Sequence, residues 1–209
     1  MARPLNQADP RVRRTRQLLL DAFMALLEEE KKSPRAISVQ EIARRATLNP
    51  ATFYDHFADK NAFLDCWMRE KFRRALARRL PPPSTLSQDT LRLLIVTVLE
   101  FLAGVYRHVK WPQARADPLF ETAVQEELYA VLATWLQQVA AEAPPQPEML
   151  ESTAQVSSWA IFGAAVQWSR GARTCTADEM SRRILTVVTT GLSSVIDPAS
   201  HDALLPRDP

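Results

Sequence analysis

The chain has 209 residues, 46% of them apolar, which is enough to bury the core of one large domain or two small ones. Its net charge of +2 hides a segregation: residues 1–80 hold 17 Lys and Arg against 10 Asp and Glu, and residues 81–209 hold 9 against 14. A basic amino-terminal part suits contact with a polyanion, the alternative being charge that merely collects on solvated faces, and no apolar run nears the roughly 18 residues of a membrane span.

Four glycines in the whole chain, abundant Ala and Leu, and apolar residues recurring at spacings of three and four predict an all-α protein of about nine helices. The opening "MARPLNQADPRVRRTRQ" has no apolar signal core, and a cytoplasmic location without a membrane partner is expected. Asp9-Pro10 reads as a cap followed by proline at the first helical position, so a first helix starts there and carries Arg11, Arg13, Arg14 and Arg16. With Arg3 these form a basic arm that suits phosphates or a minor groove, although a solvated helix face explains the same run. "KKSPRA" breaks the helix.

The next stretch, "SVQEIARRATLNPATFYDHFADKNAF", divides into two short helices around a bend. Ser38 and Glu41 have capping-box spacing, and Val39, Ile42, Ala43 and Ala46 give the first of the two helices one apolar face, with Ala43 small enough for a close crossing. Arg44 and Arg45 lie at its end. Leu48 plugs the turn, and Asn49-Pro50 starts the second helix as a cap followed by a proline with its angle already set. Phe53 and Phe57, four apart, fix that helix to a core, which leaves Asn49, Pro50, Ala51, Thr52, Tyr54, Asp55 and His56 on its outer face. That face is narrow and suits a DNA groove, yet it holds no Lys or Arg before Lys60. Apolar spacing alone favours an ordinary helical hairpin.

Beyond Lys60 a helix is expected to about Leu80, and "LPPPSTLSQD" marks a boundary where the charge changes sign. The domains predicted from this are residues 1–80, residues 81–198, and a polar tail at 199–209. In the second, helices are expected over Ser87–His108, Pro118–Glu142, Glu148–Arg170 and Ala177–Ile196, the last opened by a Thr176/Glu179 capping box. Cys66 and Cys175 have no paired metal-ligand spacing and read as buried, reduced thiols. The histidines are His56, His108 and His201, with no metal cluster and no phosphate-binding glycine loop, so neither catalysis nor a cofactor or metal is expected.

The segment from Arg13 to about Trp67 resembles the tetracycline-repressor (TetR/AcrR) family of bacterial regulators. The resemblance rests on "SVQEIARRA" and on the order Thr52, Phe53, Tyr54, His56, Phe57, Lys60. It implies a three-helix DNA-binding head, a larger helical body that binds a small ligand, and a homodimer. It also implies phosphate contacts at Thr52, Tyr54, His56 and Lys60, whose hydroxyl, imidazole and ammonium groups are suitable donors. For Tyr54 and His56, packing on the neighbouring helix is an alternative that is compatible with contact. Arg13 and Arg14 add attraction to double-stranded DNA. Base reading falls to Pro50, Ala51, Tyr54 and Asp55, where apolar groups meet thymine methyls and Asp55 accepts from a cytosine amino group. Many family members have Gly in the turn where this chain has Thr47. A β-branched residue there either strains the turn or reshapes it, which bears on the angle of the reading helix.

In the body, four of the five tryptophans, Trp111, Trp135, Trp159 and Trp168, lie beyond the boundary. An aromatic interior suits an apolar or aromatic effector, with Leu94, Val98, Phe101, Tyr106, Phe120 and Trp159 as candidate lining, though each is equally at home in a core. Gly163 and Ala164 in the third body helix, with Leu185, Val188, Leu192 and Val195 on the last, suit a twofold four-helix dimer interface; packing within one chain is the alternative. The function expected is a ligand-responsive dimeric repressor. A protein-interaction adaptor built on the same fold is the runner-up, and a helical enzyme comes third.

Overall fold

The computed structural model of the chain describes residues 9–30, 33–108, 118–140 and 147–196. Eight helices occur among them: α1 (Pro10–Glu30), α2 (Val39–Arg45), α3 (Pro50–His56), α4 (Lys60–Ala77), α5 (Gln88–His108), α6 (Pro118–Ala140), α7 (Pro147–Arg170) and α8 (Ala177–Ile196). No strand is found among the described residues, and the fold is all-α as expected. The chain divides into two compact units, Met1–Met68 and Arg69–Pro209. The division falls inside α4, ahead of the Pro81–Pro83 segment that marks the boundary in the sequence.

The helix ends form where the side chains dictate. Asp9 accepts the Arg11 amide on Oδ1 at 2.8 Å and so caps α1. Ser38 Oγ accepts the Glu41 amide at 3.2 Å, while Glu41 Oε2 accepts the Ser38 amide at 2.6 Å, a complete capping box. Thr176 and Glu179 close the same box at α8, with distances of 3.2 and 2.8 Å.

The first unit is a three-helix head, α1 to α3, closed by the first turns of α4. Phe23, Phe53, Phe57, Phe63 and Trp67 are all buried in it. Phe23 meets Phe63 and Trp67 edge-on at 5.2 Å each, and Phe63 meets Phe57 at 5.0 Å and Phe53 at 5.2 Å. Such edge contacts add about 0.5–1.5 kcal/mol per pair to the burial of the rings. Ala43 is fully buried, as the close crossing of α2 requires.

In the second unit α5, α7 and α8 pack on one another and α6 packs on α7. Its interior contains Leu91, Leu94, Ile95, Val98, Leu128, Leu132, Trp135, Ile161 and Val188. Glu127 of α6 is also inside, its side chain 9% exposed, and it accepts two hydrogen bonds from Arg73 at 2.6 and 2.7 Å and one from Arg69 at 3.4 Å. Glu127 occupies a position on the same helical stripe as Ala123 and Leu128, so it needs these guanidiniums to be tolerated there.

Two expectations are corrected. Cys66 and Cys175 are each partly exposed rather than buried. Arg16 Nη2 lies 3.4 Å from Cys66 Sγ, and the Arg16 guanidinium stacks 4.5 Å from the centre of the Phe57 ring. This also removes Arg16 from the basic arm, because its charge is turned onto the head's own core. Arg3 lies outside the described residues.

Candidate nucleic-acid interface

The turn between α2 and α3 sets the angle of the reading helix. Ala46 ends α2 in an ordinary helical conformation, and Thr47 follows at φ 58°. The Leu48 amide donates to the Ala43 carbonyl at 2.9 Å and the Thr47 amide to the Arg44 carbonyl at 3.1 Å. This pair of bonds is the Schellman arrangement, which a glycine normally completes. The turn is therefore not reshaped, and Thr47 takes the left-handed conformation at a cost of about 1–2 kcal/mol.

Asn49 then caps α3, its Oδ1 accepting the Ala51 amide at 2.9 Å, and Pro50 occupies the first helical position. Because the oxygen serves the cap, it is the amide NH2 end of Asn49 that can address DNA. With Phe53 wholly buried and Phe57 nearly so, the helix has one orientation. Asn49, Pro50, Ala51, Tyr54 and Asp55 are exposed together, while Thr52 and His56 sit half-buried at its edge. Tyr54 is 55% exposed and touches Phe53 edge-on at 5.4 Å, so packing and an outward hydroxyl coexist in it.

His56 Nδ1 is buried without a hydrogen-bond partner. Burial and the nearby Arg16 charge push the imidazole below its ordinary proton affinity, with Asp55 opposing them. The neutral ring is favoured, and with Nδ1 inside, the proton belongs on Nε2, the tautomer that can donate outward. Lys60, half-buried at the start of α4, donates to the Arg35 carbonyl at 2.6 Å. Burial and Arg35 lower its proton affinity, and Glu41 raises it.

Arg11, Arg13 and Arg14 are exposed on the first turns of α1, and Arg44 is exposed at the end of α2. Arg45 is turned away to Glu29 at 2.6 Å. The charge asymmetry in the sequence has a different destination from the one it suggests. Residues 1–68 hold 11 Lys and Arg against 9 Asp and Glu, so most of the basic excess lies at residues 69–80. There Arg69 pairs with Glu126, Arg73 with Glu127, Arg74 with Glu70 and Arg79 with Glu100. These arginines bind the second unit together.

The residues singled out in that second unit differ in burial. Leu94 and Val98 are wholly buried in α5, and Phe101 is half-buried with its ring 5.0 Å from Phe72. Tyr106 and Phe120 are also half-buried. The Tyr106 hydroxyl donates to Glu121, which pairs with Arg170, and these three were not legible as a cluster in the sequence. Trp159 is 52% exposed on α7, which also exposes Val156 at 68%. Leu185 and Val188 are buried, and among the described side chains of α8 Val187 is exposed, at 70%. Gly163 and Ala164 are half-buried; the side chains of Leu192 and Val195, together with Trp111, lie outside the described residues.

A capped helix-turn-helix with a polar outer face has the dimensions to enter a DNA groove. Residues 19–65 match the family of bacterial regulatory proteins named tetR. The HTH-type transcriptional regulator YxbF of Bacillus subtilis is 43% identical over 58 residues, a stretch that is 28% of this chain and 15% of that protein, so the likeness reaches only a small part of its length. Two solved structures share the fold. A tetR-family transcriptional regulator from Streptomyces coelicolor has a TM-score of 0.53 at 16% identity, over 91% of this chain and 86% of that one. RolR in complex with resorcinol has a TM-score of 0.57 at 16% identity, over 94% and 97%. Residues 19–65 thus carry the tetR-family sequence signature, and the described helices share the fold of the two solved regulators. No group of His, Cys, Asp and Glu among the described residues is arranged to hold a metal, and no described helix is long and apolar enough to cross a membrane.

Proposed function

We propose that the protein is a cytoplasmic, dimeric repressor that leaves a palindromic operator when a small apolar or aromatic effector binds its body. The observation that carries the DNA half of this reading is the α3 face: Asn49, Pro50, Ala51, Tyr54 and Asp55 are exposed together while Phe53 and Phe57 hold the helix in one orientation. In this reading Pro50, Ala51, Tyr54 and Asp55 choose the sequence. Thr52, Tyr54, His56 and Lys60 hold phosphates, with Arg13 and Arg14 adding attraction.

The dimer half is supported by Val156, Trp159 and Val187, large apolar side chains exposed on α7 and α8, with Gly163 on the same helix as two of them. A surface of that kind is consistent with burial against a second copy. Leu185 and Val188 then stabilise the protomer rather than the dimer, and Trp159 moves from the effector site to the interface. The effector site keeps Leu94, Val98, Phe101, Tyr106 and Phe120. That RolR is solved with resorcinol is in keeping with a small aromatic ligand for this fold. Functional domains of residues 1–80 and 81–198, with a tail at 199–209, follow from this assignment, and α4 is the element through which the effector acts. Each tenfold loss of operator affinity requires about 1.4 kcal/mol of effector preference for the released state.

Selection of bound duplexes from random DNA at moderate salt tests the reading. An enriched palindrome with half-sites about one helical turn apart, or a defined multiple, is the expected result. Recovery without enrichment would favour the adaptor reading instead, for which the nearly balanced charge of residues 1–68 is the motivating observation.

A further inference from the structure

Arg35, in the "KKSPRA" break between α1 and α2, lies against Lys60. The two are joined in both directions. The Lys60 ammonium donates to the Arg35 backbone carbonyl at 2.6 Å, and Arg35 Nη1 donates to Asn61 Oδ1, the residue after Lys60, at 3.4 Å. The loop between α1 and α2 is thereby tied to the start of α4, and two cationic side chains are held in one place although they repel each other. Glu41 opposes that repulsion at Lys60, and its Oε2 accepts the Ser38 amide in the capping box.

We propose that Arg35 is a further phosphate-contacting residue, forming with Lys60 a two-cation clamp on one backbone phosphate of bound DNA. The inference rests on the DNA-binding reading. A phosphate oxygen between a guanidinium and an ammonium accepts from both and removes the repulsion that the free head carries. Arg35 is exposed and Lys60 half-buried, so the clamp is open to a ligand the size of a duplex backbone. The Arg35 carbonyl also fixes where the Lys60 ammonium stands, so the loop positions one phosphate contact and supplies the other. Such a contact carries no base preference and adds to affinity on any sequence.

The test is a set of anisotropy titrations of the full chain on a mixed-sequence duplex, from about 50 to 200 mM salt. Arg35→Gln is expected to weaken binding and to lower the slope of log affinity against log salt by about 0.9 for each head engaged. Arg35→Lys should keep most of the slope. Arg92→Gln, which removes the same charge from α5 in the second unit, should keep all of it. The Lys60 bond goes to the backbone of residue 35, so it persists in both Arg35 variants, and unchanged circular dichroism checks this. A wild-type slope in Arg35→Gln overturns the clamp and leaves the DNA reading standing. Absence of salt-dependent binding by the unaltered chain overturns both.

Discussion

Replacing Thr47 by Gly should make the protein more stable, in contrast to the usual effect of placing glycine in a structured segment. Thr47 stands at φ 58° between the two bonds of the Schellman turn. A side chain with a Cβ costs about 1–2 kcal/mol in that region, and glycine removes the cost. Glycine also gives the unfolded chain more freedom, which takes back about 0.5–1 kcal/mol. The net gain expected is about 0.5–1 kcal/mol, a rise of a few degrees at most in the thermal midpoint for a chain of this size. Urea unfolding followed by Trp67 fluorescence, with the other tryptophans replaced, reads the head directly. Thr47→Ala keeps the Cβ at positive φ and should gain less than Thr47→Gly. A destabilised Gly variant would sink the reasoning, because it would mean that the threonine side chain holds the turn by an interaction larger than its backbone strain. Operator affinity provides a second check. Since the turn already has the hydrogen bonds that glycine would give it, the angle of α3 should not change, and binding by the Gly variant should stay within about twofold of wild type, or ~0.4 kcal/mol.

Three further substitutions probe the remaining parts. Tyr54→Ala should lower operator affinity at least tenfold, about 1.4 kcal/mol, without altering dimerisation measured by sedimentation; loss of the dimer would show that the ring is structural. Glu127→Ala removes the buried acceptor of Arg73 and Arg69, and because Arg73 is 60% exposed and can rehydrate, the loss should be about 1–3 kcal/mol in urea melts, less than for a fully buried pair. A cost under ~0.5 kcal/mol would mark the cluster as ornamental to stability. His56 binds its proton less readily in the folded head than in the unfolded chain. Its contribution is therefore complete above the ordinary imidazole value of 6.5 and is lost as pH falls through it toward the lower folded value. Melts of His56→Gln should show a shallower acid decline than wild type over that window, and identical slopes would refute the assignment.

The head was legible because its determinants are local. A Ser and a Glu three apart close a capping box, Asn-Pro starts a helix, and two phenylalanines four apart turn one face inward; each rule acts within one turn of helix. Thr47 was legible as a problem and not as a solution, since sequence offers two outcomes, a strained turn or a different one, and the Leu48-to-Ala43 bond selects the first. The body was less legible because its determinants are long-range. Periodicity assigns Leu185 and Val188 to an apolar stripe on α8, and both are buried within the single chain, where α8 packs on α5 and α7, while Val187 is exposed. The pairing of Arg73 with Glu127 joins residues 54 apart, and nothing near either one announces it. A charged residue in register with Ala123 and Leu128 was the one available signal, and it shows that Glu127 needs a partner without saying which.

The same distinction explains how a reading helix without Lys or Arg can serve a DNA-binding head. Bulk charge does not supply the attraction, since residues 1–68 are almost balanced. Placement does. Asp9 caps α1, Glu41 and Asn49 serve the starts of α2 and α3, and Asp59 accepts the Ala62 amide at 2.8 Å at the start of α4. Glu29 is joined to Arg45, and Asp21 accepts from Gln17 at 2.7 Å. A carboxylate at a helix start faces the positive end of the helix dipole, so its outward field is partly cancelled. The guanidiniums of Arg11, Arg13, Arg14 and Arg44 are exposed at other places on the same unit. The head thus exposes these arginines while Asp9, Glu41 and Asp59 serve helix starts and Glu29 and Asp21 meet side chains of their own unit. Only Asp55 stands on the reading face itself, where a carboxylate among phosphates is repelled unless a base amino group meets it. Under the proposed DNA reading, Asp55 would add nothing to affinity in general and would act by excluding sequences that lack its partner.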